Sequence, residues 1–288
     1  MNRAAVLKLG IVVLIFGAAF PVLKWGLSGG ATPVWFAAWR AIMSAGVALA
    51  VVLAMQGLAW PTRADLAPIF GIGLFQIAGF FLLLYAALTL VPAGTASVLS
   101  YTTALWLVPI SALWLRERVT GRRLLAVGLG IAGTLAIANP ATLDYAQPGQ
   151  LLGVGLLLAA SLSWAIAIAT LRASRAKLST VQMLPFAFAV ASLVLLPLAL
   201  LLEPEGGLSR EAPPVIALLA VGLLGPIATW AASEVSRDLP AVVSSLGFLG
   251  TPVLGLLLSV AVLGEPLTWG LAVGAALVVA GVAVAARG

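Results

Sequence analysis

The chain has 288 residues, of which 62% are hydrophobic and only 8% are charged, with a formal net charge of +6. Because a soluble domain carries about a quarter charged residues, this composition excludes an ordinary soluble globular protein. The sequence contains no cysteine and no histidine, which excludes disulfides, thiolate catalysis and thiolate metal sites.

Apolar runs recur along the whole chain, and each is long enough to cross roughly 30 Å of hydrocarbon as a helix of about 20 residues. Transmembrane β-strands would be only about 10 residues long and would alternate in polarity, which these runs do not. The sequence therefore predicts an all-α polytopic membrane protein with ten transmembrane helices, over residues 5–24, 33–55, 67–89, 93–115, 123–139, 149–171, 180–202, 213–233, 240–262 and 268–286.

Positive charges lie almost entirely on one side of the predicted membrane. With the N-terminus in the cytoplasm, the inside segments carry 12 of the 15 lysines and arginines, the outside loops carry Lys24 and Arg210, and Arg40 remains within a span. This asymmetry follows the positive-inside rule and predicts that both termini are cytoplasmic. The charges flank the spans and do not form one basic patch, which argues against nucleic-acid binding. Ten spans with both termini in the cytoplasm need the first apolar run, residues 5–24, so we expect it to be a membrane helix and not a cleaved signal.

An internal repeat relates the two halves of the sequence. The run VPAGTASVLSYTTALWLVPISALWLRERVT aligns without a gap with LPAVVSSLGFLGTPVLGLLLSVAVLGEPLT, and Glu117 then coincides with Glu265, 148 positions further on. Proline, serine, glutamate and threonine recur in the same order in both runs. We therefore predict an N-terminal five-helix repeat over residues 1–142 and a C-terminal five-helix repeat over residues 143–288.

The second repeat must enter the membrane in the opposite orientation, because five is an odd number of spans. The loop after the fourth span, RERVTGRR, is strongly basic, whereas its counterpart GEPLTWG carries no positive charge. This reversal predicts two inverted five-helix repeats. Inverted duplication is the architecture of many secondary transporters, whose substrate site lies near the membrane midplane between the repeats.

Several motifs occur in an order that is typical of one transporter family. The chain has IFGAAFPVLKWG in its first span, WFAAWRAIMSAG in the second and YAALTLVPAGTASVL across the third and fourth. Each repeat closes with a glutamate followed by a glycine-rich span. The whole chain resembles the drug/metabolite transporter superfamily, specifically its EamA-type exporters, and looks most similar to the YddG-like bacterial amino-acid exporters. The resemblance implies a ten-helix exporter of aromatic and other amino acids.

Arg40 is the one charge well inside a predicted span, roughly 10 Å from the end of its helix. Intramembrane charges are costly and usually functional, so its guanidinium is a candidate for binding a substrate carboxylate. The alternative is that Arg40 extends to the membrane surface beside Trp35 and Trp39 and binds backbone carbonyls.

No acidic residue lies within a predicted span. We therefore expect transport without proton coupling, or coupling through a group at a helix end.

The fourth span concentrates hydroxyl groups on two faces. At about 100° per residue, Ser97, Ser100 and Tyr101 share one face, and Thr102 and Trp106 share the other. Hydroxyls that bond to the preceding turn allow one face to pack closely against another helix. The other face is free to line a mostly apolar ligand pocket. We predict that the face of Ser97 and Tyr101 binds substrate.

Other candidate side chains lie on other spans. Gln76 and Phe80, spaced i,i+4, present an amide and a ring side by side, and the amide is equally suited to bridging two helices. Tyr85 is suited to the pocket or to anchoring at the membrane interface. Trp164 lies in mid-span, where its indole N–H needs a partner. With the repeat counterparts in the ninth span added, the predicted substrate-binding residues are Tyr101, Ser97, Trp164, Gln76, Phe80, Tyr85, Arg40, Ser245 and Phe248.

Spans five and ten carry small residues four positions apart, Gly128 with Ala132 and Gly270 with Gly274. This spacing allows the backbones of two helices to approach each other closely. It predicts a structural contact that joins the two repeats.

These observations together predict an inner-membrane exporter of amino acids or similar small metabolites that works by alternating access. An enzyme is excluded, because no histidine, cysteine or intramembrane acid is present to activate a nucleophile or hold a metal. Export of another solute, such as an organic cation, purine or sugar derivative, stays open, and a channel is less favoured. No cofactor or metal is predicted. The expected partners are a small-molecule substrate and the lipid bilayer, and a monomer is compatible with the sequence.

Overall fold

The computed structural model describes residues 3–55, 57–114, 116, 120–139, 149–207, 209–238 and 247–286. Within these ranges every regular element is a helix, and no strand occurs among them. The prediction of an all-α protein is therefore confirmed for the described part of the chain. Glu117 and Ser245, which the repeat singled out, lie outside the described residues.

The helices follow one another in chain order. We number them α1 (Arg3–Ser28), α2 (Pro33–Met55), α3 (Arg63–Leu88), α4 (Ala93–Leu113), α5 (Gly121–Ile137), α6 (Gln150–Ala173), α7 (Thr180–Leu202), α8 (Ala212–Asp238), α9 (Gly250–Leu263) and α10 (Trp269–Ala286). Eight of them contain a stretch long and apolar enough to cross a membrane. The other two, α5 and α9, have 17 and 14 residues. A helical multi-pass protein is confirmed, and the number of ten crossings stays a prediction.

The helix α3 is not a uniform α-helix. Its middle segment, Gly71–Gly79, is π-helical, with a wider turn than an α-helix has. The neighbouring α6 uses this irregularity, because the Ser163 hydroxyl donates a hydrogen bond of 2.7 Å to the carbonyl of Phe75. A Cβ at Gly79 would lie 2.5 Å from the Ser163 oxygen, so only glycine permits this approach. The regular helix predicted here is wrong at this segment.

The helix α4 is interrupted at Tyr101 and Thr102, between the segments Ala93–Ser100 and Thr103–Leu113. The backbone N–H groups of these two residues donate to carbonyls three residues back, both at 3.1 Å, so the chain tightens into a 3₁₀-type turn. The hydroxyls of Thr102 and Thr103 also donate to carbonyls three residues back. Hydroxyl bonds of this kind compete with the helical pattern and bend helices. The uninterrupted fourth span predicted from the sequence is therefore wrong at this point.

Carboxylates near helix ends pair with backbone N–H groups of distant segments. Glu203 and Glu265 accept hydrogen bonds from the first N–H groups of α2 and α4, at distances between 2.6 and 3.2 Å. Asp65, at the start of α3, accepts from the N–H groups of Lys177 and Leu178 in front of α7, at 2.6 and 2.9 Å. Helix starts have unpaired N–H groups and favour negative charge. These carboxylates therefore fix the helix starts and join segments far apart in the sequence.

Helices α1–α5 pack mainly against helices α6–α10. The most extensive contacts are those of α3 with α6, α5 with α10, α1 with α8 and α2 with α7. The helix α6 lies against both α3 and α4. Lys24 falls within α1, which is longer than the predicted first span, and donates to the carbonyls of Leu88 and Val91. This side chain ties α1 to the connection between α3 and α4.

The helices α5 and α10 approach each other closely. A Cβ at Gly133 would lie 2.8 Å from the carbonyl oxygen of Gly274 and 3.0 Å from the backbone nitrogen of Val278. Gly128 has open space around it, with nothing within 4 Å of an added Cβ. The two helices pack closely as predicted, but Gly128 is not at the contact, and Gly133 takes its place.

We expect Gly133→Ala to destabilise the protein, because its Cβ would meet backbone atoms that cannot rotate away. Overpacking of this kind typically costs about 1–3 kcal/mol. Gly128→Ala, the same change on the same helix, should keep or slightly raise the melting temperature, since alanine favours helix over glycine. Thermal unfolding of the purified variants measures both effects. Equal melting temperatures would contradict the close approach of α5 and α10.

Candidate functional site

A cavity of about 720 Å³ lies inside the helix bundle. Its walls come mainly from α1, α3, α4, α6 and α8, with single residues from α2 and α10 and the residues just before α9. Small-molecule sites have volumes of roughly 300–1,000 Å³ and are mostly apolar with a few placed polar groups. Among the described lining residues, Arg40 is the only charged one. The cavity therefore has the size and composition of a site for a small solute.

Arg40 is buried in this cavity, with 7% of its surface exposed. The guanidinium carbon lies 3.5 Å from the centroid of the Phe81 ring, in the geometry of a cation–π contact. Its Nε finds no hydrogen-bond partner among the described residues. Trp35 is engaged elsewhere, donating to the carbonyl of Glu203 at 2.9 Å. The structure thus differs from the alternative in which Arg40 reaches the membrane surface.

Aromatic rings form a continuous wall beside Arg40. Phe81 contacts Phe80, Tyr85 and Trp164, with centroid distances of 4.9, 5.7 and 6.2 Å. Phe80 and Trp164 meet edge to face at 4.6 Å, an arrangement that aromatic pairs prefer. The wall is suited to the apolar or aromatic part of a solute.

Tyr85 is fully buried and does not anchor the protein at a membrane interface. Its ring packs edge to face against Phe36 at a centroid distance of 5.4 Å. Its hydroxyl has no hydrogen-bond partner within the described ranges. A buried polar group without a partner is costly. The hydroxyl and the Arg40 Nε are therefore two unpaired polar groups in one cavity.

The break in α4 brings hydroxyl groups to the cavity wall at Ser100, Tyr101 and Thr103. The Ser100 hydroxyl donates to the carbonyl of Ala96 at 2.7 Å. The Thr103 hydroxyl donates to the carbonyls of Ser100 and Ser161, at 2.9 and 3.1 Å. Because a hydroxyl has one proton, the Ser100 and Thr103 oxygens have only acceptor capacity left.

Ser161 of α6 connects the break in α4 to its neighbour. Its hydroxyl accepts a hydrogen bond from the Trp106 indole at 3.0 Å and lies 2.8 Å from the hydroxyl oxygen of Thr102. The indole of Trp106 is therefore paired inside the bundle. Sequence reasoning missed Ser161, although its position three residues before Trp164, on the same side of α6, was an available signal.

Most of the predicted substrate-binding residues come together in this cavity. Ser245 lies outside the described residues, and neither Ser97 nor Gln76 lines the cavity. The six that do line it are Arg40, Phe80, Tyr85, Tyr101, Trp164 and Phe248.

Ser97 contacts the helix α9 and does not line the cavity. Its hydroxyl is buried and lies 2.8 Å from the carbonyl oxygen of Gly94 and 3.2 Å from that of Pro252 in α9. Because α4 breaks after Ser97, the face expected at regular helical spacing does not continue into the cavity. Gln76 lies in the π-helical segment of α3. In a regular α-helix Gln76 would lie on the same face as Phe80. The wider turn of the π-helical segment moves Gln76 off that face.

Comparison with known proteins identifies the family. The model of the EamA-like transporter family matches the chain twice, over residues 3–139 and residues 151–287. The chain belongs to the EamA-like transporter family. The resemblance to EamA-type exporters is thereby confirmed. The family and the relatives are transporters, so the prediction that the protein is not an enzyme is confirmed as well.

Relatives of this EamA-like chain match all or part of its length. An "Uncharacterized transporter" of Archaeoglobus fulgidus is 24% identical over 284 residues, which are 97% of each chain. A "Probable amino-acid metabolite efflux pump" of Escherichia coli is 31% identical over 156 residues, 54% of this chain and 49% of the relative. A solved crystal structure is similar with a TM-score of 0.66 at 23% identity, covering 99% of this chain and 98% of the other. That likeness shows a shared fold.

We expect Ser161→Ala to lower the melting temperature of the EamA-like protein, because the Trp106 indole loses its acceptor. An unpaired buried donor typically costs about 1–3 kcal/mol. Ser192→Ala is the matched control, since the Ser192 hydroxyl donates only to the carbonyl of Phe188 in its own helix, at 2.8 Å. Thermal unfolding compares the two, and Trp106→Phe should remove most of the effect of Ser161→Ala. Equal stability of the two serine variants would contradict the role of Ser161.

Proposed function

We propose that this EamA-like protein is a secondary transporter that exports amino acids or similar small metabolites from the cytoplasm by alternating access. The observation that carries the proposal is the cavity of about 720 Å³, with its aromatic wall and one buried guanidinium with an unpaired donor. Ligand sites are typically apolar with a few placed polar groups of this kind. The Escherichia coli relative, named a "Probable amino-acid metabolite efflux pump", supports the same class of solute.

The alternating-access mechanism rests on a duplicated, inverted architecture of ten spans. Two separate family matches, over residues 3–139 and residues 151–287, support the duplication. The helix contacts support a two-fold relation between the repeats, because the most extensive ones have counterparts when the two repeats are exchanged. The contact of α1 with α8 corresponds to that of α6 with α3, and α1 with α9 corresponds to α6 with α4. Repeats related in this way supply two equivalent conformations open to opposite sides.

We place the protein in the bacterial inner membrane with both termini in the cytoplasm. The excess of lysine and arginine in the segments on one side supports this orientation. Arg40 then lies in the outer half of the membrane. The hydrogen bonds of Lys24 to Leu88 and Val91 lie at the outer end of the bundle.

Arg40 is the proposed ligand for the substrate carboxylate. A guanidinium binds a carboxylate through two parallel hydrogen bonds, and such charged pairs are strong in a desolvated site. Its unpaired Nε and its fixed position over Phe81 support this role. An organic cation, one of the alternatives, would be repelled at this position.

Counterflow in proteoliposomes tests the proposed function. Liposomes loaded with unlabelled amino acid should transiently accumulate the labelled amino acid above its external concentration. A panel of neutral amino acids, purines, sugars and organic cations should show this exchange only for amino acids. Exchange of another solute class alone would overturn the substrate proposal. Uptake of label without any transient accumulation would indicate a channel.

Arg40→Gln should reduce amino-acid counterflow at least tenfold at low substrate concentration, because a hydrogen-bonded charge pair contributes about 1.5–3 kcal/mol. The matched control is Arg172→Gln, which makes the same change at an exposed position at the end of α6. Melting temperatures of both variants distinguish loss of binding from loss of folding. Wild-type counterflow by a folded Arg40→Gln variant would contradict the role of Arg40.

A further inference from the structure

The first segment of α4 ends inside the cavity. This segment, Ala93–Ser100, is a helix of eight residues whose last residue lines the cavity wall. The carbonyls of Val98, Leu99 and Ser100 in its last turn already accept hydrogen bonds, from the N–H groups of Tyr101 and Thr102 and from the Thr103 hydroxyl. An acceptor for a positively charged group in the cavity must therefore come from the hydroxyl oxygens at this helix end.

Two hydroxyl oxygens at this helix end are suited to accept hydrogen bonds from such a group. The protons of Ser100 and Thr103 are donated to backbone carbonyls at 2.7–3.1 Å, which leaves their oxygens as acceptors. An ammonium group has three donors and no acceptor, and so matches these oxygens. Trp164 also lines the cavity, and an indole ring attracts cations through its face.

Arg40 and Ser100 lie at the same depth in the bundle. Each is seven residues from the start of its helix, Arg40 after Pro33 in α2 and Ser100 after Ala93 in α4. At 1.5 Å per residue this is roughly 10 Å for both. The two helix starts lie at the same end, because α3 connects them and its last turn packs against the first turn of α2. Arg40 and Ser100 therefore start from one level, and Thr103 lies three residues further along α4.

We propose that Ser100 and Thr103 form a subsite for the primary ammonium group of the substrate, in the same cavity as Arg40, which binds the carboxylate. The transported solute is then a zwitterionic α-amino acid and not a carboxylic acid without an amine. This inference rests on the proposed function and adds the specificity for the amine to it.

The test uses three ligands that share one aromatic body. L-phenylalanine has both charged groups, 3-phenylpropionate has only the carboxylate, and phenethylamine has only the ammonium. Half-saturation concentrations come from ligand-induced thermal stabilisation of the purified protein. We expect phenylalanine to bind the wild type at least tenfold more tightly than either analogue, because a hydrogen bond to a charged group contributes about tenfold or more.

The double variant Ser100→Ala with Thr103→Val should weaken phenylalanine and phenethylamine about tenfold and leave 3-phenylpropionate within about twofold. Arg40→Gln should weaken phenylalanine and 3-phenylpropionate and spare phenethylamine. Thr103→Ser, which keeps the hydroxyl, should bind like the wild type. The matched control is Ser192→Ala with Thr170→Val, whose hydroxyls donate only to carbonyls in their own helices at 2.8 Å.

Several results would overturn the ammonium subsite. Among them are 3-phenylpropionate binding the wild type as tightly as phenylalanine, an equal loss of all three ligands in the double variant, and no binding of any of the three. Amino-acid counterflow in proteoliposomes then separates the two proposals. If counterflow persists, only the subsite is wrong, and if it is absent for every amino acid, the proposed function fails as well.

Discussion

The interruption of α4 at Tyr101 and Thr102 is the feature on which the cavity depends. In a bilayer no water is available to pair with freed backbone groups, so a helix is interrupted only where neighbouring groups replace the lost bonds. Here the hydroxyls of Thr102 and Thr103 bond to backbone carbonyls, and Ser161 of α6 bonds to both of them. Because the break is paired in this way, α4 can turn Ser100 and Thr103 towards the cavity.

Polar side chains fall into two groups with different tasks, those with hydrogen-bond partners and those without. Asp65, Glu203 and Glu265 lie near helix ends, where they accept hydrogen bonds from backbone N–H groups and join distant segments. Arg40, seven residues into α2, and Tyr85, in the last turn of α3, each have a buried polar atom without a partner among the described residues. Paired groups stabilise the scaffold, whereas unpaired groups beside a cavity are candidates for binding a ligand.

Much of the fold followed from hydropathy alone. Long apolar runs predict helices well, because every backbone group must be paired within the membrane. The irregular segments of α3 and α4 could not be predicted from hydropathy, because a turn of 100° per residue assumes a regular α-helix. The prediction that Ser97 shares the substrate-binding face of α4 with Tyr101 assumed the same regular helix. Gly128 was chosen for its spacing, but which glycine lies at a contact depends on how two distant helices rotate against each other.

The candidate site could be predicted from the sequence only in part. Arg40, Tyr101 and Trp164 stand out in a sequence because a charge, a phenol and an indole in mid-span all need partners. Ser161 and Thr103 do not stand out, because small hydroxyl residues are common in membrane helices and usually bond to their own backbone. Their part in the site depends on the position of α6 against the break, which only the tertiary structure specifies.

A ligand-bound structure tests the central claim most directly. The protein would be crystallised or imaged with L-phenylalanine at saturating concentration. We predict density in the cavity, with the carboxylate within hydrogen-bond distance of Arg40 and the ammonium next to Ser100 and Thr103. Density only in the outer groove between α2 and α7, near Ile42 and Ser192, or a carboxylate turned away from Arg40 would contradict the account.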